Sequence, residues 1–226
     1  KTIFEVGCYD GYILHQLKKK QYIVEGCEPS DGADIAKKNG LNVFKGFFNK
    51  KKYIGKSYDL IVIRHTLEHI YNLKKIITDL KSVMKENSTL IVEVPNIQYY
   101  LKKGLLEVFS LQHLHYFSIK TFVNICKRFG LDIIQYNETP ENLIVFFKKQ
   151  KVFKSNLKIK KVSYLNSFKK KILFNRKKIG KILKKYKNKK IIFWGAGGFA
   201  FAALYLYKMS INEKSIFIDK DKKKHN

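Results

Sequence analysis

What this sequence has little of narrows it first. It carries three cysteines, Cys8, Cys27 and Cys126, scattered along the chain. They show no zinc-type spacing and form no even set, so a zinc module and a disulfide framework are both excluded. A reducing, cytoplasmic location fits this usage. No apolar run reaches the roughly 18 residues of a membrane helix, and no signal peptide is visible. The three prolines, Pro29, Pro95 and Pro140, all fall at strand ends or in a turn. Acid is the largest deficit: 18 Asp and Glu stand against 46 Lys and Arg in 226 residues, a formal charge of +28. Between Lys148 and Lys190 there are 18 Lys plus Arg176, and no Asp or Glu. Such charge invites a nucleic-acid partner. Arginine is rare, however, and Lys, Asn, Ile, Tyr and Phe are all abundant, as drift in an AT-rich coding sequence would give. Drift or a solvated linker is placed ahead of specific nucleic-acid binding.

What is present is 45% hydrophobic and 14% aromatic, enough for one full α/β domain with an appendage. Residue 1 already lies in a strand pattern and the last six residues, Asp221 to Asn226, do not read as folded, so the sequence reads as a piece of a longer chain. Its organising stretch is Ile3-Phe4-Glu5-Val6-Gly7-Cys8-Tyr9-Asp10-Gly11. An apolar run suits a buried parallel strand, Glu5 sits near its carboxyl end, and Gly7 and Gly11 permit a tight turn into a helix. Ligands of open α/β sheets bind outside the carboxyl ends of the strands. No third glycine and no P-loop lysine follow, so a phosphate cradle is excluded.

Taken in order, the pattern predicts a strand at 2–6, a helix at 10–19, a strand at 22–27 and a helix at 31–39. Ser30 is expected to cap that second helix and Gly40 to stop it. Glu28 lies 28 − 7 = 21 residues beyond Gly7. A carboxylate about 20 residues past the glycine turn is where a ribose diol is held; an ordinary surface acid is the other reading. A strand at 42–45 leads to Phe47 and Phe48, which either flank an adenine ring or close the core. Further strands are expected at 58–63 and 89–94, with a helix at 73–86 between them. Residues 101–114 read as irregular. Ser118 is expected to cap a helix at 119–129 that Gly130 ends. Strands at 131–137 and 143–148 have no helix between them and should pair antiparallel at the sheet edge. The fold class is α/β: a doubly wound Rossmann-like sheet with an antiparallel last strand, spanning residues 1–150.

Residues 151–190 read as a basic helical linker, with Leu165, Phe168, Ile172, Ile179, Ile182 and Tyr186 on an apolar face. A membrane surface, a partner helix or the next domain would each satisfy that face. Residues 191–226 open a second strand–turn–helix. Gly195, Gly197 and Ala200 fit G-x-G-x-x-A, and Asp219 ends the next strand, so a partial Rossmann-like unit is expected there.

Residues 1–150 resemble class I S-adenosylmethionine-dependent methyltransferases. The resemblance rests on Glu5 to Gly11, on Glu28, on Tyr58-Asp59-Leu60-Ile61 with Leu67-Glu68-His69, and on Val92-Glu93-Val94-Pro95-Asn96. It implies S-adenosylmethionine as the methyl donor. By position, Glu5, Gly7 and Gly11 would cradle its methionine part, with Cys8 and Tyr9 in the same loop. Glu28, followed by Pro29, would take the ribose, and Phe47 and Phe48 would lie near the adenine. Arg64 and His65 would lie near the sulfonium.

A narrower resemblance covers almost the whole chain. His113-Leu114-His115-Tyr116-Phe117-Ser118, with the Gly195-Ala196-Gly197 unit, is similar to sugar C-methyltransferases that act on nucleotide-linked deoxysugars. Ser110, Leu111 and Gln112 stand where that family has Tyr, His and Glu, and its second histidine is kept as His113. Methylation at O or C stays open. The expected partner is a sugar or nucleotide-sugar substrate, as in surface-glycan synthesis, with His113 first and His65 second as general base and Tyr116 beside them. His65, Glu68, His69, His113 and His115 also offer metal-ligand spacing; Glu68-His69 is routine in the resembled family without a metal, so none is expected. RNA methylation, favoured by charge alone, and a glycan-assembly scaffold that keeps the fold without turnover are the alternatives.

Overall fold

The computed structural model describes residues 1–150, 164–209 and 215–221. The chain forms two compact units. The first joins Lys1–Asn96 to the described residues from Leu114 to Gln150, and the second joins Ile97–His113 to those from Tyr164 onward. In chain order the elements are β1 (Thr2–Val6), α1 (Tyr12–Lys19), β2 (Ile23–Glu28), α2 (Gly32–Lys38), β3 (Val43–Lys45), β4 (Tyr58–Arg64), α3 (Leu73–Ser82), β5 (Met84–Pro95), α4 (Ile97–Lys103), α5 (Ile119–Phe129), β6 (Leu131–Glu138), β7 (Asn142–Lys149), α6 (Leu165–Lys185), β8 (Ile191–Trp194), α7 (Gly198–Leu206) and β9 (Ser215–Ile218). Short 3-10 turns occupy Lys50–Tyr53 and Leu67–His69.

The first unit is a seven-stranded sheet in the order β3-β2-β1-β4-β5-β7-β6. β1 pairs in parallel with β2 and β4, and β7 runs antiparallel between β5 and β6. This is the doubly wound sheet with an antiparallel last strand that the pattern predicts. The chain order reverses at β1 and β4, which puts the switch point of the sheet at the ends of those two strands. Phe4, Ile61, Ile63, Val92, Val94, Leu143, Val145 and Phe147 line one face and join Ile77 and Leu80 of α3 and Phe122 and Cys126 of α5 in a single core. Phe4 is its aromatic hub, edge-on to Tyr53 and Phe48. Burying one such ring contributes about 2–3 kcal/mol.

Three boundaries differ from the sequence pattern. α3 ends at Ser82, not at residue 86, because Met84 is already paired with Tyr58 in the sheet. A register shift between Tyr58 and Leu60 lets β5 begin this early, so the apolar Met84 is buried as a strand entry and Val83 as the cap that ends α3. Residues 97–103, read partly as irregular, form α4. Ser30 does not cap α2: Asp31 occupies that position with no side-chain cap, and the Ser30 hydroxyl accepts from the Gly32 N–H at 3.2 Å in a local turn. Ser118 does behave as expected, forming a reciprocal capping box with Thr121, and Gly130 ends α5 with φ 63°.

In the second unit, α6 is one helix of 21 residues. Phe168 and Ile172 are buried with Leu106, against Leu101, Phe109, Ala203, Leu206 and Tyr207. Leu165, Ile182 and Tyr186, from the same predicted apolar face, are about half exposed. β8 and β9 pair in parallel across the Gly195 turn, and the Ala196 N–H donates to Asp219 Oδ2 at 2.7 Å. The start of the expected basic linker, 151–163, and the terminal residues 222–226 lie outside the described residues. Among the described residues no helix is long and apolar enough to cross a membrane.

Candidate active site

The site of the first unit is built at the carboxyl ends of β2, β1, β4 and β5. The chain leaves β1 through a turn in which the Gly7 N–H donates to the Cys27 carbonyl at 2.8 Å and the Gly11 N–H to the Cys8 carbonyl at 2.8 Å. Gly7 and Gly11 adopt φ of 72° and 76°. A Cβ on Gly7 would lie 2.1 Å from Thr66 Oγ1, and one on Gly11 would lie 2.3 Å from Leu41 Cδ1. Both positions therefore need glycine twice over, for backbone angle and for close approach. Tyr9 takes a positive φ of 47° in the same loop and leaves its ring well exposed. The Cys8 thiol is turned into the apolar cluster with Leu14, Ala33 and Ala36, and burial pushes it up to about 12. Cys8 thus offers the site its backbone, not a nucleophile.

Two carboxylates flank this turn. Glu28, at the end of β2, accepts from the Tyr9 N–H at 3.0 Å through Oε2 and from the Ser30 N–H at 2.8 Å through Oε1. Each oxygen keeps a second lone pair, so a diol could still be received by both. Pro29 beside it is exposed. Glu5 is 4% exposed, and its Oε2 has no hydrogen-bond partner. Burial raises its carboxyl to about 7, opposed by the nearby Arg64 and helped by Asp10. A buried acid with an unpartnered oxygen beneath a glycine turn suits a ligand that brings a positive charge. The donor set therefore fits the cationic amino-acid end and the ribose of S-adenosylmethionine.

Beyond β3, Phe47 and Phe48 part company. Phe48 stacks on Tyr53 and packs against the core, while Phe47 is 80% exposed. Phe47 is the more accessible of the pair, and Phe48 is partly buried.

Past β4, His65 takes a positive φ of 45°, which is costly for a residue with a side chain. Its Nδ1 lies 3.7 Å from Glu68 Oε1 and its Nε2 lies 3.6 Å from Glu93 Oε1. Glu68 raises the imidazole above its ordinary value, with Glu93 adding to the effect against burial and Arg64. Arg64 Nε donates to Glu93 Oε2 at 2.6 Å, and Asn142 Nδ2 donates to Glu93 Oε1 at 3.0 Å. Glu68 is 2% exposed and its Oε2 has no partner. Sequence reasoning named Arg64 and His65 but did not assign Glu93, Glu68 or Asn142 to the site. The available signal was Glu93 itself, an acid in the middle of the apolar run of β5.

The segment after Leu114 adjoins this region. The Leu114 and His115 N–H groups both donate to the Glu68 carbonyl, at 2.9 and 3.1 Å, and His115 Nε2 lies 3.0 Å from the Ile70 carbonyl. His115, Tyr116, Thr121 and Asn124 line a cavity of about 270 Å³ with Leu73, Phe117 and Ile125. Burial pushes the Tyr116 phenol up from its ordinary value. His113 belongs to the second unit, where its Nδ1 lies 2.7 Å from the Val108 carbonyl.

A family model described as a methyltransferase domain matches residues 1–136, more than half of the chain. No curated protein matches. Among solved structures, a TehB-like S-adenosylmethionine-dependent methyltransferase from Corynebacterium glutamicum is similar with a TM-score of 0.51 at 16% identity, covering 66% of this chain and 80% of its own. The plantazolicin methyltransferase BpumL, in complex with a desmethylPZN analogue and S-adenosylhomocysteine, gives 0.55 at 15% identity, over 66% and 76%. An S-adenosylmethionine-dependent methyltransferase from Clostridium acetobutylicum gives 0.52 at 13%, over 66% and 84%. At such identities the structures speak for the fold, and the family match speaks for the class. The chain belongs to the methyltransferase-domain family and is an S-adenosylmethionine-dependent methyltransferase.

Proposed function

We propose that the protein methylates a sugar, either nucleotide-linked or part of a surface-glycan precursor, at O or C. The observation that carries this reading is the cavity between the start of α3 and the start of α5. It is lined by apolar Leu73, Phe117 and Ile125 and by polar His115, Tyr116, Thr121 and Asn124, with the Thr121 hydroxyl held in the capping box and His115 Nε2 at the Ile70 carbonyl. A mixed apolar and polar lining of this kind suits a hydroxylated ring. At about 270 Å³ it falls just under the roughly 300–1,000 Å³ of common small-molecule sites, so it suits one ring and not a whole nucleotide sugar.

In this reading Glu5, Gly7, Cys8, Tyr9 and Gly11 hold the amino-acid end of the donor, Glu28 and Pro29 its ribose and Phe47 its base, with Arg64 and His65 near the sulfur. When bound, the donor supplies a methyl group already activated by a sulfonium. What the protein adds is alignment and a base. His65 is the base the geometry favours: it stands at the end of β4 in the donor unit, its side chain is 46% exposed, and a carboxylate flanks each ring nitrogen. A neutral His65 takes the acceptor proton and passes it to solvent. His113, the other candidate, lies in the second unit, and Tyr116 orients a hydroxyl of the acceptor. The three cysteines are free and buried, which accords with a reducing, cytoplasmic setting.

Calorimetry with S-adenosylhomocysteine, followed by methyl-transfer assays on a panel of nucleotide sugars with RNA as the contrasting acceptor, tests the reading. Binding with transfer to a sugar supports it. Transfer to RNA alone, with affinity falling steeply as salt rises, would replace the sugar. Binding without transfer to any acceptor would leave a scaffold.

A further inference from the structure

The charged side chains at the carboxyl ends of β1, β4 and β5 do not form separate pairs. They form one row across the carboxyl end of the sheet. Arg64 of β4 stands opposite Glu93 of β5 in the strand register and also acts electrostatically on Glu5 of β1. Glu93 is the junction. One of its oxygens takes Arg64 Nε at 2.6 Å; the other takes Asn142 Nδ2 at 3.0 Å and lies 3.6 Å from His65 Nε2. Its own backbone carbonyl accepts the His65 N–H at 2.9 Å, so the strained backbone and the ring of His65 are both referred to the same residue. The side chain of Glu93 is only 13% exposed, which limits solvent screening of these contacts.

We propose that Glu93 is a positioning residue of the methyl-transfer site, dividing one carboxylate between Arg64 on the donor side and His65 on the acceptor side. The inference rests on His65 as the base. With Glu93 in place, Asn142 holds the shared oxygen, Arg64 is kept on the row beneath the donor loop, and the imidazole is kept turned toward the acceptor end. The groups that face His65 are Glu68 from the 3-10 turn, Glu93 from β5 and Arg64 from its own strand. During transfer the acceptor hydroxyl loses its proton to His65 as the new bond to the methyl carbon forms. The bond from that carbon to sulfur breaks with its electron pair staying on sulfur, and the imidazolium that results is stabilised by the two carboxylates.

The test is a nuclear magnetic resonance titration of the His65 ring in the intact chain, without acceptor. Glu93→Gln keeps the shape and removes the charge. The expected result is a downward displacement of the His65 midpoint by at least about 0.5–1 pH unit, the size a unit charge at 3.6 Å would give even with full aqueous screening. Asn142→Ala, which removes the other contact of the same oxygen but leaves the charge, moves the midpoint by less. A folded Glu93→Gln protein with an unchanged midpoint overturns the proposal. If Glu93→Gln does not fold, Glu93→Asp withdraws the charge by one methylene; a smaller downward displacement supports the assignment, and none overturns it. On an active enzyme, Glu93→Gln should lower kcat more than it raises KM for the donor, and shift the acid limb of the kcat profile in the same direction. Because the titration needs no turnover, its outcome is independent of whether the acceptor is a sugar.

Discussion

The Tyr9 N–H and Glu28 Oε2 meet at 3.0 Å across 19 residues of sequence, so the carboxylate that ends β2 also holds the loop that ends β1. Its other oxygen is fixed by Ser30, which leaves the group no freedom to turn away from the loop. Glu28→Ala should therefore weaken S-adenosylhomocysteine binding by about 100-fold, combining a lost ligand contact with a loosened Tyr9 turn. Glu28→Gln, which keeps one acceptor oxygen, should fall between. Calorimetry on variants with native circular dichroism checks both, and wild-type affinity in Glu28→Ala would remove Glu28 from the donor site.

Glu5 makes stability depend on pH. Its folded carboxyl is raised to about 7 from 4.5, so the folded protein binds a proton that the unfolded chain releases. The stabilisation is complete below about 4.5 and is lost as pH rises through 7, a change on the order of 3 kcal/mol for a group this buried. Urea unfolding of the ligand-free protein at several pH values should show stability falling between pH 5 and 8 by up to that amount, after other groups are allowed for. Glu5→Gln should flatten the profile. An unchanged slope in Glu5→Gln would show that another group carries it.

Two glycines with nearly the same φ separate backbone angle from crowding. Gly7 has φ 72° with Thr66 Oγ1 where a Cβ would go; Gly55 has φ 77° with nothing within 4 Å. Gly55→Ala should cost about 1 kcal/mol, the penalty of the left-handed region. Gly7→Ala should cost about 2–4 kcal/mol, because Thr66 must also move and its hydroxyl gives up the bond to the Arg64 carbonyl. Equal losses by denaturant unfolding would mean that Thr66 yields freely.

Ser118 and Thr121 satisfy each other's backbone N–H groups at the start of α5. Ser118→Ala should destabilise the first unit by about 1 kcal/mol. Since α5 forms one wall of the proposed acceptor cavity, it should also weaken acceptor binding while leaving S-adenosylhomocysteine affinity unchanged. A parallel loss of both affinities in calorimetry would argue that α5 is not a separate wall.

Much of the fold was legible because the parallel strands declare themselves as short apolar runs ended by Gly7, Glu28 or Pro95. The terminal hairpin was legible because 138–142 is too short for a crossover helix. The α3–β5 boundary was not, since Val83 and Met84 continue a helical spacing and only the pairing of Met84 with Tyr58 of β4 starts the strand there. In the proposed site, the donor side was proposed from local sequence, since Gly7, Gly11 and Glu28 sit at spacings set by one βαβ unit, and the Glu28–Tyr9 contact was not in that reading. The junction at Glu93 could not be, because it unites β4, β5 and β7, which sequence separates by 29 and 49 residues. Periodicity identifies a buried acid but not the partners that a sheet brings to it.

The placement of β7 between β5 and β6 has a consequence for how the chain is made. β5 is complete at Pro95, yet its second edge is closed only by residues 142–149, after the Ile97–His113 excursion and α5 have been synthesised. During that interval a nascent chain presents the N–H and C=O groups of a long apolar strand to whatever lies nearby. Aggregation in the cell should therefore peak for chains truncated between about residue 96 and residue 141, and subside once the hairpin can close.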